Sequence, residues 1–79
     1  MEMDQMPIQQ QFEEVIVSDN LLEVKEFLNN QNISDVANLI YENPDYEIQI
    51  ISTLSIHRSA SVFKILDLME QKRIIKKLP

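Results

Sequence analysis

Apolar residues recur along this chain at spacings of three and four, which is the pattern of amphipathic helices that bury one face. Two such stripes open the sequence, the first made of Ile8, Phe12, Val15 and Ile16 and the second of Leu21, Val24, Phe27 and Leu28. Short polar side chains favour helix starts because they accept hydrogen bonds from the first free amides. We therefore predict a first helix before residue 18 and a second helix capped by Asp19 or Asn20.

Two further helices are predicted in the middle of the chain. Ser34 is the expected cap of the third, and Asn43 followed by Pro44 ends it and starts the fourth. The inward residues are Val36, Ala37, Leu39 and Ile40 in the third helix and Ile50, Ile51 and Leu54 in the fourth. Residues 46–50 alternate apolar and polar, which alone is typical of a strand. A lone strand would lack a partner, however, and the repeat described below favours a helix.

The last part of the chain predicts a fifth and a sixth helix, capped by Ser55 and Asp67. Glu70 stands three residues after Asp67, the spacing of a capping box in which the glutamate returns to the cap amide. The residues expected to point inward are Ala60, Val62, Phe63 and Leu66 in the fifth helix and Ile74, Ile75 and Leu78 in the sixth.

The caps and apolar positions of helices three and four recur in helices five and six. Ile33, Ala37, Leu39 and Ile40 return 23 residues later as Ile56, Ala60, Val62 and Phe63, and Asn43, Ile50, Ile51 and Leu54 return 24 residues later as Asp67, Ile74, Ile75 and Leu78. A two-helix unit of this length cannot bury its apolar face alone, so neighbouring units stack. We predict an all-α fold of five or six helices, in which short two-helix repeats stack as a small superhelical, solenoid-like domain. The predicted core is Ile33, Ala37, Ile40, Ile51, Leu54, Ala60, Phe63, Leu66, Ile75 and Leu78.

The composition narrows the functional classes. A chain of 79 residues holds one domain at most, and this one has no cysteine and no glycine. It therefore lacks thiolate nucleophiles, thiolate metal sites, phosphate-binding glycine loops and the nucleophile elbow of hydrolases. No apolar run approaches the about 20 residues that span a bilayer, and the first residues do not form a secretory signal. We predict a cytoplasmic protein that is not an enzyme.

Charge is unevenly distributed along the chain. Residues 1–50 hold 11 acids and one lysine, a sum of −10, whereas residues 51–79 hold six bases and two acids, a sum of +4, which gives the net −6. The acidic half disfavours nucleic acid, whose affinity depends on neutralised phosphates. It suits cations, basic partners or the basic last helix of a second copy, so a homodimer is one expectation. The alternative is a solvated acidic surface that keeps a small protein soluble.

Three runs of the sequence carry a family resemblance: Asn32-Ile33-Ser34-Asp35-Val36-Ala37-Asn38-Leu39-Ile40, Ser59-Ala60-Ser61-Val62-Phe63 and Leu66-Asp67-Leu68-Met69-Glu70-Gln71. Together they resemble the cytoplasmic N-terminal domain of MgtE magnesium transporters, over residues 28–79. Two positions depart from the family pattern: Asn32-Ile33 replaces a His-Pro pair, and Ser61 replaces a glutamate. The domains are then 1–18, an N-terminal helix with a frayed end that includes Met1, Met3 and Met6, and 19–79, the MgtE-like helical repeats.

The resemblance implies the first half of a regulatory domain at the cytoplasmic face of the inner membrane. In that family the domain gates magnesium transport by docking, when magnesium is abundant, to a CBS-domain pair of the same polypeptide, which also holds the membrane domain. We expect this chain alone to bind magnesium no more tightly than about millimolar, because the family's acidic cluster is only partly present. The alternative is a stand-alone helical module for protein–protein interaction.

Acidic residues are the candidate metal ligands, namely Asp45, Glu47 and Glu70 with Glu42 beside them. Carboxylates suit magnesium because hard cations take oxygen ligands. The alternative is that single acids on helix surfaces face only water.

Neither the histidine nor the bases of the chain carry a catalytic signature. His57 is the only histidine, and a trio with Ser55 or Ser59 and with Asp35 or Asp67 would lack an oxyanion hole, so we predict no catalytic residue. Two i, i+4 pairs of bases occupy the last helix: Lys72, Arg73, Lys76 and Lys77. They suit phosphates or an anionic membrane surface, or they complement the negative end of the helix dipole.

Overall fold

The computed structural model describes residues 6–78, and within that range every regular element is a helix. Six α-helices follow one another: α1 (Ile8–Val17), α2 (Leu21–Asn30), α3 (Ile33–Glu42), α4 (Glu47–Thr53), α5 (Ile56–Ile65) and α6 (Leu68–Lys77). A 3-10 turn at Pro44–Tyr46 leads into α4. The all-α prediction is confirmed, including the helical assignment of residues 46–50. Of the predicted frayed end, Met1 and Met3 lie outside the described residues, whereas the carbonyl of Met6 accepts a hydrogen bond from the side chain of Gln11 at 2.8 Å.

Asparagine and aspartate side chains start three of the helices. Asn20 caps α2, Asn32 caps α3 and Asp67 caps α6, each by accepting hydrogen bonds from amides two or three residues further on. Asp19 has a left-handed backbone, with φ of 59°, in the turn that joins α1 to α2. Aspartate visits this region more readily than most residues, so α1 can end there without a glycine.

Two capping predictions were wrong. Ser34 lies inside α3 rather than at its cap, because Asn32 already satisfies the free amides two residues earlier. Glu70 does not return to the amide of Asp67, which instead donates to the hydroxyl of Tyr41 at 2.9 Å. The second half of the capping box is therefore replaced by a bond from α3.

Polar side chains also join helices that are distant in sequence. Ser55 precedes α5 as predicted but makes no side-chain cap; its amide donates to Oδ1 of Asn29 at 3.0 Å. The guanidinium of Arg58, on α5, donates to the carbonyl oxygens of Leu28 and Gln31 at the end of α2. The carbonyl of Leu28 also accepts from the amide of Gln31 at 3.4 Å, so Arg58 adds a second donor there and supplies a donor to the carbonyl of Gln31, just past the end of the helix.

Helices two apart in the sequence contact each other. α1 packs on α3 and α3 on α5, while α2 packs on α4 and α4 on α6. The described part of the chain measures 39 × 22 × 21 Å, with the α1–α2 pair at one end of this succession of contacts and α6 at the other. These contacts agree with stacked two-helix units; their superhelical course stays a prediction. No helix within residues 6–78 has both the length and the apolar character needed to cross a membrane.

One cluster of buried side chains runs through all six helices. Its members are Phe12, Val24, Leu28, Val36, Ala37, Leu39, Ile40, Ile50, Leu54, Val62, Leu66 and Ile74. Of the predicted core, Ala37, Ile40, Leu54 and Leu66 are buried. Ile33, Ile51 and Phe63 are half-buried against the cluster.

Three predicted core residues are exposed instead. Ala60, Ile75 and Leu78 face outward, although each occupies a position that is buried or half-buried in the preceding repeat unit. α5 and α6 form the last unit, and no later helix among the described residues packs on their free side. The apolar spacing marked these positions correctly as interface positions, but the interface needs a neighbour that the described chain does not supply.

Candidate functional site

Two glutamates are buried together where α4 meets α6. Glu47 opens α4 and Glu70 lies in the first turn of α6, and each side chain is 1% exposed. They are not repeat counterparts, because the 24-residue spacing of this half of the repeat relates Glu47 to Gln71. The packing of α4 on α6 brings the two glutamates together.

Two bases of α6 hold this acidic pair. Nζ of Lys77 donates to Oε2 of Glu47 at 2.5 Å. The guanidinium of Arg73 donates to Oε1 of Glu70, and its Nε lies 3.6 Å from Oε1 of Glu47. Arg73 and Lys77 each keep about half of their side-chain surface in solvent. The four residues form what we call the ionic joint between α4 and α6.

The ionic joint separates the pKa values of its two glutamates. Burial alone would raise the pKa of Glu47, but hydrogen bonds with Glu70 and Lys77 and the charges of Lys77 and Arg73 hold it below its ordinary value. Burial, reinforced by the hydrogen bond and the negative charge of Glu47, raises the pKa of Glu70 despite Arg73.

Glu70 is therefore the carboxyl group of the joint that is protonated first as the pH falls, because its pKa is raised and that of Glu47 is lowered. Oε1 of Glu47 and Oε2 of Glu70 are buried and accept no hydrogen bond from the donors of the described residues. A proton on Glu70 supplies the missing donor, because it forms a hydrogen bond to the carboxylate of Glu47. The joint can thus hold one exchangeable proton away from solvent.

The structure brings together two of the predicted metal ligands and leaves the others outside. Glu47 and Glu70 are side by side, while Asp45 and Glu42 lie exposed at the surface. Within residues 6–78, no group of three or more Asp, Glu or His side chains is placed to hold a metal ion. Ligation of magnesium by these acids stays a prediction.

His57 lies exposed on α5. Among the hydrogen bonds of residues 6–78, none joins it to Ser55, Ser59 or the aspartates that sequence analysis considered with it. The carboxylate of Asp67 is engaged as the cap of α6.

The opposite side of α6 combines exposed apolar and basic side chains. Leu68, Met69 and Ile75 are 64%, 76% and 60% exposed. Lys72 and Lys76 are exposed on the same helix, and a shallow depression is lined by Met69, Lys72, Arg73 and Lys76. We call Leu68, Met69, Lys72, Ile75 and Lys76 the basic face.

Sequence reasoning missed how the bases of α6 are divided. Arg73 and Lys77 turn to the ionic joint, whereas Lys72 and Lys76 belong to the basic face. One signal was available: Glu70 to Arg73 is an i, i+3 pair, which places those two side chains on the same side of the helix. The exposure of Ile75 had no such signal, because its spacing is that of a core residue.

Comparison of the chain with protein-family models, with curated proteins and with solved structures gives no match. The MgtE resemblance therefore stays a prediction that rests on residues 28–79, and the geometry of the chain carries the functional argument.

Proposed function

We propose that this chain is a helical protein-interaction module whose basic face binds an acidic, amphipathic protein surface. The observation that supports the proposal is the exposure of three large apolar side chains, Leu68, Met69 and Ile75, on one helix. Single exposed apolar residues are ordinary, but several on one surface, bordered by charges, are typical of protein-binding sites. Methionine suits such a surface because its flexible thioether adapts to different partners.

The charges of the basic face define the partner. Lys72 and Lys76 favour acids, so the partner surface presents carboxylates around an apolar centre. The net charge of −6 opposes the approach of a large polyanion such as nucleic acid or an anionic bilayer. An acidic helix of limited extent meets only the local positive charge of α6. A protein partner is therefore favoured over a polyanion.

A designed acidic helix tests the proposal. The probe is a labelled peptide of about 20 residues, with leucine at helical spacing and glutamate at the other positions. We expect fluorescence anisotropy to give a dissociation constant of about 1–100 μM for the natural chain. Lys72→Glu combined with Lys76→Glu should weaken binding by at least about 10-fold, because both attractions become repulsions.

Matched controls separate the basic face from general charge effects. Lys64→Glu changes an exposed base on α5 and should leave binding within about twofold. Ile75→Ser should weaken binding, whereas Ile56→Ser, at an exposed position on α5, should not. Equal binding by the natural chain and the Lys72 and Lys76 variant would contradict the proposal. Tighter binding to phosphatidylserine-containing vesicles than to the peptide would also contradict it, in favour of a membrane.

The resemblance to MgtE supports a second proposal, a cytoplasmic regulatory domain that docks to CBS domains in a magnesium-dependent way. Contacts between helices two apart, as in stacked two-helix units, favour it. Isothermal calorimetry tests its metal requirement. We expect the chain alone to bind magnesium no more tightly than about millimolar, because magnesium keeps most of its water unless several ligands converge. Micromolar binding would contradict that expectation.

A further inference from the structure

The end of the molecule opposite α6 also carries exposed apolar side chains, here beside acids. Val17, Leu21 and Leu22 flank the turn between α1 and α2 and are 78%, 68% and 66% exposed. Glu23 and Glu26 are exposed on α2 next to them, and so is Lys25, the one base among residues 1–50. We call Val17, Leu21, Leu22, Glu23 and Glu26 the acidic end face. It has the chemistry that the basic face requires of a partner.

We infer that the basic face of one copy binds the acidic end face of a second copy, head to tail. The inference rests on the proposed function, since it uses the same basic face and names its partner. Within one copy, α4 and α6 already join through apolar packing, carboxylates and bases, and the second copy would continue the stack in the same manner.

Charge selects the head-to-tail arrangement over a symmetric dimer. Two basic faces placed together would set Lys72 and Lys76 against their own copies, and two acidic end faces would do the same with Glu23 and Glu26. Only the heterologous contact pairs opposite charges, and it leaves one face free at each end of the assembly. The net charge of −6 opposes association at long range, but the Debye length of about 8 Å at physiological ionic strength confines that repulsion.

Two charge-reversal variants test the arrangement by complementation. The first, Lys72→Glu with Lys76→Glu, removes the basic face and keeps the acidic end face. The second, Glu23→Lys with Glu26→Lys, does the opposite. In sedimentation equilibrium at about 100 μM protein and about 50 mM salt, we expect the natural chain to associate and each variant alone to be monomeric. An equimolar mixture of the two variants should associate again, because each variant carries charges on both faces that are opposite to those of the other.

The natural chain should also respond to salt. Its association constant is expected to fall by at least about 10-fold between about 50 mM and about 500 mM salt, since the pairing is between exposed charges. Lys64→Glu and Glu42→Lys alter exposed charges on α5 and α3 and should leave association unchanged. Circular dichroism of every variant is the control for folding, so that loss of association in a folded variant reports the faces themselves.

Three outcomes would overturn the inference: a monomeric natural chain at low salt, association of either variant alone, or a mixture that remains monomeric. Binding of the acidic peptide distinguishes failure of the head-to-tail inference from failure of the proposed function. If the natural chain binds the peptide but stays monomeric, a second copy is not the partner, and the proposed interaction module stands. If the natural chain neither binds the peptide nor associates, both the head-to-tail inference and the proposed function are wrong.

Discussion

The two repeat units place the same residue pattern in different surroundings. Ala37 and Leu54 of the α3–α4 unit are buried, whereas their counterparts Ala60 and Leu78 in the α5–α6 unit are exposed. Ile50 and its counterpart Ile74 are both fully buried. The internal unit has helices on two sides and the last unit has them on one.

This difference shows that apolar spacing defines interface positions, while the number of neighbours decides which are buried. In α6 the side toward α4 is held by Ile74 and the ionic joint, and the side away from α4 is the basic face. The same helix therefore stabilises the fold with one side, and the other side is the one that we propose binds a partner.

The largest expected contrast is between Leu54→Ala and Leu78→Ala. Loss of the buried leucine leaves a cavity and should lower the free energy of unfolding by about 2–4 kcal/mol, whereas loss of the exposed one should cost less than about 1 kcal/mol. Urea denaturation followed by circular dichroism measures both. Equal costs would mean that the last unit is covered as completely as the internal one.

A smaller contrast comes from adding volume at the two alanines. Ala37→Leu should destabilise the chain by about 1–3 kcal/mol because the buried site has no room. Ala60→Leu, at the exposed counterpart, should change stability by no more than about 0.5 kcal/mol. Thermal unfolding of the two variants at one protein concentration makes the comparison. A larger loss for Ala60→Leu would contradict the one-sided packing of the last unit.

The ionic joint, which connects the two units, is expected to contribute less than the buried leucine. Glu47→Gln removes the charged acceptor of Lys77 and should cost about 1–2 kcal/mol at neutral pH. Glu42→Gln, at an exposed acid of α3, is the matched control and should have almost no effect. Similar effects of the two changes in urea denaturation would argue against the joint.

The raised pKa of Glu70 and the lowered pKa of Glu47 predict a definite pH dependence. A raised pKa adds stability that is present at low pH and is lost as pH rises through it; a lowered pKa adds stability that is lost as pH falls through it. The joint is therefore most stable at acidic pH, between the two values.

Glu70→Gln isolates the upper limb of that dependence, because glutamine keeps the hydrogen bond to Glu47 but cannot ionise. We expect the variant to exceed the natural chain in stability by about 1 kcal/mol at pH 8, and this advantage should vanish as pH falls below the pKa of Glu70. Urea titrations at several pH values test it. A constant difference at all pH values would contradict a proton on Glu70.

The smallest predicted effect concerns the hydroxyl that ties the first unit to the second. Tyr41→Phe removes the acceptor of the Asp67 amide and should cost about 0.5–1 kcal/mol, since the bond is partly open to water. Tyr46→Phe is the control, because that ring packs edge-on against Phe12 and its hydroxyl makes no hydrogen bond within the described chain. If Tyr46→Phe lowered the free energy of unfolding as much as Tyr41→Phe, the hydrogen bond between Tyr41 and the amide of Asp67 would not be the cause of the loss.

The sequence predicted the helices well because their signals are local. The stripe in α3 and the Asn43–Pro44 break lie within a few residues of what they determine. The exposure of Ile75 was not predictable, because it depends on whether another helix packs on α6. Pairing of Glu47 with Lys77 spans 30 residues, a separation that the repeat spacing of 23 or 24 does not indicate.

The most extensive helix–helix contacts of this fold join helices that are adjacent or two apart, which has a consequence for how the chain folds and opens. Local contacts need little loop closure, so folding should be fast and can begin at any neighbouring pair of helices. α6 is the last helix of this series and packs on α4 through Ile74 and the ionic joint. Its local unfolding should expose little of the buried cluster. The amides of α6 should then exchange with solvent deuterium sooner than those of α3. We therefore expect α6 to unfold locally while the rest of the chain stays folded.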